Sequence, residues 1–239
     1  MRSLLSILSL LCALPIFGQL SLSSPGFVSG LSQTGTGSSR SWLVRQTCEG
    51  SGYDNGETWN ETTGGGTINE DETGTVLQGS QSLLMEYGST DCIDYVTHAS
   101  VDQVWCRLMV RWAEWPASTR TFLYVRNNAT SLGRVYIDTA RTLHVYNGGS
   151  VATTVATLSL ATTYYIWVRC KPGSGSNAEL TVAFATTLSE PAVGDYFASV
   201  SDGTSTAQAN RLELILEDDG TVRFDEILVD DTAVGNESL

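Results

Sequence analysis

Lysine is almost missing from this chain, with Lys171 standing alone against twelve arginines. Acids outnumber bases 26 to 13, for a formal net charge of −13. A chain so charged lacks the basic patch that releases counterions from a phosphate backbone, which argues against nucleic acid as a partner. There are only two histidines, His98 and His144, and no C-x-x-C spacing, so a zinc site built from His or Cys lacks ligands. No Gly-x-Ser-x-Gly elbow is present, which removes the commonest serine-hydrolase signature. No stretch holds a helical period and no repeat recurs at fixed spacing, so helix bundles, propellers and solenoids are set aside.

Long apolar runs are also scarce. The one that exists, Leu4 to Phe17 behind Arg2, is too short to span a bilayer and reads as a secretory signal peptide over residues 1–18, cut after Gly18. Cys12 follows Leu11 rather than a small residue, which argues against a lipid anchor. The mature chain is therefore expected to be secreted, without membrane insertion. Without Cys12, four cysteines remain: Cys48, Cys92, Cys106 and Cys170. An even number in an oxidising compartment allows two disulfides, while buried free thiols acting as small hydrophobes are an equal alternative. The alternation around Cys106 and Cys170 points both inward.

What the chain has is Thr, Ser and Gly, with about a dozen short alternating apolar segments between turns. Residues 19–41 form a Ser/Gly-rich arm, residues 42–231 a single antiparallel sandwich, and residues 232–239 a tail. The segment NRLELILEDDGTVRFDEILVDD is the clearest. Leu212, Leu214 and Leu216 share one face, Val222 and Phe224 share another, and the turn Asp218-Asp219-Gly220 predicts a hairpin. Such a one-sided apolar ladder must pack on a second sheet. Asn147-Gly148-Gly149 and Pro172-Gly173-Ser174-Gly175 predict two further hairpins. The acidic run Asn69-Glu70-Asp71-Glu72 is expected in a glycine-flanked loop.

Aromatic residues are the remaining candidates for binding, because sugar rings stack on Trp and Tyr while polar groups fix their hydroxyls. In VWCRLMVRW, Trp105 and Arg107 alternate with Cys106 and Leu108. In YYIWVRC, Trp167 alternates with Ile166 and Val168. If Cys106 and Cys170 face the core, then Trp105, Arg107 and Trp167 line an outer face suited to a glycan. Trp115, at a strand end beyond Trp112, is the best single sugar platform. For a lyase, a Tyr or His base beside an Arg is needed, and Tyr136, His144, Tyr146 and Arg107 are candidates.

Three pieces, CEGSGYDNGETW, GSQSLLMEY and VRFDEILVDD, together resemble the concanavalin A-like lectin and glucanase superfamily, which includes laminin G-like domains. The hairpin TTYYIWVRCKPGSGSNAELTVAF adds to the likeness, and galactose-binding-like sandwiches share the same opening and closing strands. The resemblance implies an all-β jelly roll whose first and last strands pair. It also implies a structural calcium held by the opening and closing acids, here Glu49 and Asp225, with Asp54, Asn55 and Glu226 as further ligands; Ca²⁺ wants about six to eight oxygens. Cys48 departs from the pattern, which usually has an aromatic residue there. The glucanase pattern E-x-D-x-x-E is absent. The expected function is a non-catalytic, lectin-like module binding a polysaccharide or surface glycan. The alternatives are a structural or adhesive surface protein that assembles as a homo-oligomer or surface array, and a glycan-cleaving hydrolase or lyase.

Overall fold

The computed structural model describes residues 41–50, 52–53, 58–192 and 194–235. The expected signal peptide, nearly all of the arm and the proposed ligand Asp54 lie outside them. The strands, in chain order, are β1 Val44–Gln46, β2 Trp59–Thr62, β3 Thr67–Glu72, β4 Ser82–Glu86, β5 Cys92–Val101, β6 Val104–Glu114, β7 Arg120–Asn127, β8 Thr130–Ile137, β9 Thr142–Tyr146, β10 Val151–Thr157, β11 Tyr164–Lys171, β12 Gly173–Gly175, β13 Glu179–Ala185, β14 Phe197–Val200, β15 Gly203–Ser205, β16 Ala209–Leu216 and β17 Thr221–Asp230. An eight-stranded sheet runs β14-β13-β11-β6-β17-β4-β3, with β1 also on β17; a seven-stranded sheet runs β10-β9-β8-β7-β16-β5-β2; β12 and β15 make a small ribbon. This is the antiparallel jelly-roll sandwich that the sequence predicts.

Period-two patterning explains the layers. Leu212, Leu214 and Leu216 of β16, together with Val96, Leu123, Val125, Val135 and Val145, face Leu108, Val110, Ile166, Val168, Val222 and Phe224 of the other sheet, all of them buried. Each such side chain contributes about 1.5–3 kcal/mol by leaving water. A one-residue slip of a strand carrying five of them would cost on the order of 10 kcal/mol, which fixes the register. The first and last strands do pair, Val44 opposite Val229 and Gln46 opposite Ile227.

Three expectations are corrected here. The turn at Asp218–Gly220 does not close a hairpin, because β16 pairs with β5 and β7 in one sheet while β17 pairs with β6, β4 and β1 in the other. The chain arches across the core so that the two apolar ladders pack face to face instead of side by side. The acidic run at Asn69–Glu72 is not a loop but part of edge strand β3. Finally, no disulfide joins Cys48, Cys92, Cys106 and Cys170: all four are buried thiols. Cys106 and Cys170 do point inward, but on β6 and β11 they are out of register, opposite Val168 and Val104. Burial pushes both thiols up to about 12.

Candidate functional site

The face expected to meet a ligand is largely covered. On the outer side of the eight-stranded sheet, Trp167 is buried against Ala183, Leu228 and Val234, with Trp42 and Leu188 packed on the cluster. Its indole Nε1 donates to the Gly235 carbonyl at 2.9 Å. Arg107 is fully buried and pairs with Glu226 at 3.5 Å. The expectation that Trp167 and Arg107 line an open face is therefore corrected. Alternation tells the two sides of a strand apart, but it cannot say that chain segments fold over the second side. Trp105 is half-buried on that face beneath Arg169, whose guanidinium lies 4.7 Å from the ring. Trp115 is half-buried too, stacked on Trp112 at 5.4 Å with Arg141 at 5.7 Å on the ring.

Glu49 and Asp225 border one pocket of about 360 Å³ together with Arg45, Thr47, Gln78, Gly79 and Glu226. The pocket sits where β4 gives way to β1 along the edge of β17, beside a bulge that shifts register between Asp225 and Leu228. Glu226, in that bulge, has a φ of 43°, a strained value for a residue with a Cβ. Asp225 Oδ2 accepts from Gln78 N and Ser82 Oγ, both at 3.0 Å, and Oδ1 accepts from Glu226 N at 2.8 Å. Burial outweighs these donors and pushes its carboxyl up to about 7. Glu49 accepts from Ser80 N at 3.0 Å and Ser80 Oγ at 2.8 Å. Among the described residues no three His, Cys, Asp or Glu side chains are grouped to hold a metal ion.

The open aromatic face belongs to the other sheet. Strand register lines up Asn60, Tyr95, Glu213, Tyr124, Arg134, Tyr146 and Val151 in one row across all seven strands. At about 4.8 Å between strands the row is about 29 Å long. Tyr136, His144 and Thr153 form part of the next row on β8, β9 and β10. Arginines lie over the tyrosines: Arg211 is 3.4 Å from the Tyr95 ring centre, Arg126 is 4.0 Å from Tyr124, and Arg134 is 4.8 Å from Tyr146 and 5.5 Å from Tyr136. Glu213, almost wholly buried, accepts from Arg126 at 2.8 Å and also from Arg211. Tyr136 stacks on His144 with centroids 4.7 Å apart and rings within 4° of parallel. His144 is held at both nitrogens, Nε2 to Asp138 at 2.9 Å and Nδ1 to Thr153 Oγ1 at 2.7 Å. Desolvation, with Asp138 assisting and Arg134 opposing, raises the Tyr136 phenol above its ordinary value.

Tyr136, His144 and Tyr146 were thus legible as a group, but the arginine beside them is Arg134, not Arg107. Tyr95, Tyr124, Arg126 and Arg211 went unrecognised. For Tyr124 and Arg126 a local signal exists: TFLYVRN, GRVYIDT and TLHVYN each put Tyr, Arg or His on alternate positions of consecutive strands, whereas Tyr95 and Arg211 join this face only through the pairing of β5 and β7 with β16. Chemically the face offers flat rings, hydroxyls and fixed guanidinium groups along one line.

No family profile matches the chain, and no curated protein sequence does either. Solved structures do match in fold. An endo-β-1,4-glucuronan lyase from the fungus Trichoderma reesei superposes with a TM-score of 0.58 at 13% identity, over 83% of this chain and 100% of that one. A marine PL-14 alginate lyase from Aplysia kurodai gives 0.54 at 7% identity, over 80% and 99%. The receptor-binding domain of botulinum neurotoxin type G gives 0.54 at 8% identity, over 82% and 49%. At such identities the likeness is one of fold, and it agrees with the jelly roll seen here.

Proposed function

We propose that this chain is a secreted, glycan-binding jelly roll that holds a polysaccharide along the outer face of its seven-stranded sheet. The observation that carries the proposal is the row of tyrosines with arginines stacked on them, since sugar rings pack their C–H faces on aromatic rings while guanidinium and phenol groups fix their oxygens. Support also comes from the two lyases named above, which act on polysaccharides and whose full length this chain matches in fold. The test is a glycan array with the mature chain, repeated with Tyr124→Ala. Selective binding that weakens roughly tenfold in the variant is expected, since truncating an aromatic anchor at a binding site costs on the order of 1–2 kcal/mol. Binding unaffected by the variant would move the site, and binding to no glycan would favour the structural or adhesive alternative.

Cleavage of the bound polymer is the second reading, favoured by Tyr136, His144 and Arg134 lying together. Two observations rank it below simple binding. A general base works best with its pKa near the operating pH, yet the Tyr136 phenol is raised, not lowered. Both nitrogens of His144 are already engaged, which leaves neither ready to take a substrate proton. Release of unsaturated ends or new reducing ends from a bound polymer would reverse this ranking.

A further inference from the structure

Acids exceed bases two to one in this chain, so a guanidinium with no carboxylate beside it is informative. On the tyrosine face Arg126 and Arg211 share the single carboxylate of Glu213, which leaves that trio with one net positive charge. The nearby Asp138 is committed to His144 and to the Thr142 backbone and hydroxyl. Arg134 has neither. No carboxylate among the described residues pairs with it, and its Nε is buried without a hydrogen-bond partner. Its charge is instead held between the rings of Tyr136 and Tyr146. A guanidinium fixed in this way keeps its planar fork for a bidentate acceptor while losing little conformational entropy on binding.

Resting on the binding site proposed above, we infer that Arg134 is a carboxylate subsite, so that the polysaccharide this face selects is one bearing acidic sugars. The rings of Tyr136 and Tyr146 flank the charge and hold the guanidinium in place. Glu213, in the middle of the row, engages both neighbouring arginines and offsets one of their two charges, so that Arg134 is the guanidinium of this face with no carboxylate competing for its fork.

The experiment compares a polyuronate with the same polymer after its carboxyl groups are reduced to alcohols, titrated against wild type, Arg134→Gln, Arg134→Lys and Tyr124→Ala. Wild type is expected to prefer the polyuronate by roughly ten- to hundredfold, the range for a hydrogen bond to a charged group. Arg134→Gln should lose that preference while keeping its affinity for the reduced polymer, and Arg134→Lys, which retains charge without the fork, should fall between. Tyr124→Ala should weaken both polymers alike. Equal binding of the two polymers by wild type, or a preference that persists in Arg134→Gln, overturns the subsite but leaves the glycan-binding face standing. No binding of either polymer overturns the subsite, and binding to no glycan on the array overturns the face as well.

Discussion

Asp94 lies on the core side of β5, opposite Leu214 and with no exposed surface. Its Oδ2 accepts a 2.6 Å hydrogen bond from Tyr53, whose ring stacks on Trp59 at 5.2 Å, and its Oδ1 has no partner. Desolvation is the largest influence on this carboxyl; Glu61 and Glu70 add to it and the Tyr53 bond opposes it, with the result that it is pushed up to about 8. Between the ordinary value of 3.8 and about 8, the folded chain holds a proton that the unfolded chain has released. Stability therefore falls as pH rises across that window, by up to about 1.4 kcal/mol per pH unit, and the contribution is gone above the folded value. Asp94→Asn keeps an acceptor for Tyr53 and never ionises. Its melting temperature should exceed that of wild type at pH 9, with the gap closing toward pH 4. A gap independent of pH would mean that Asp94 is not the group being titrated.

At the scale of elements, β17 joins the sheet's interior to its opening strand, and the bulge at Glu226 puts Asp225 and Glu226 at the junction of β4 and β1. A calcium ion at this corner is a proposal with a simple check, because a ligand bound only by the native state stabilises it by mass action, about 2.7 kcal/mol at a hundredfold excess over Kd. Calcium should raise the melting temperature by several degrees, chelator should reverse the gain, and Asp225→Asn should abolish the response. A transition that ignores both additions would leave Asp225 as a buried acceptor for Gln78, Ser82 and the Glu226 amide and nothing more. The same strand shows where sequence reading stops. The ladders of β16 and β17 were legible from Leu212, Leu214, Leu216, Val222 and Phe224, because side-chain alternation is a local property. Whether Asp218–Gly220 closes a hairpin or arches between sheets depends on competition from β5, β7, β6 and β4 for the same strand edges, and no local signal records it. The site was half legible for a related reason. Tyr136, His144 and Tyr146 stood out as chemistry, but joining them to Arg107 required knowing which sheet each strand enters. The covering of Trp167 depends on Val234 and Gly235, far along the chain.

For the whole molecule, the net charge of −13 and the proposed acidic ligand pull in opposite directions, and distance separates them. At about 0.01 M salt the Debye length is about 30 Å, comparable to the length of the tyrosine row, and the excess acids repel an approaching polyanion. At about 0.15 M it is about 8 Å, so that only groups close to the contact are felt. Arg134 and the one net positive charge of the Arg126–Glu213–Arg211 cluster are then the charges a sugar carboxylate meets. The association rate for a polyuronate should rise as salt goes from the lower to the higher value, because the screened quantity is a repulsion, while the dissociation rate, set by the direct contact, should also rise. The carboxyl-reduced polymer should associate at a rate that barely moves. Stopped-flow measurements across that salt range test this directly. An association rate that falls with salt would mean the three arginines project an attractive field beyond the protein's acidic surface, and the division between a repulsive whole and an attraction felt only at contact would be wrong.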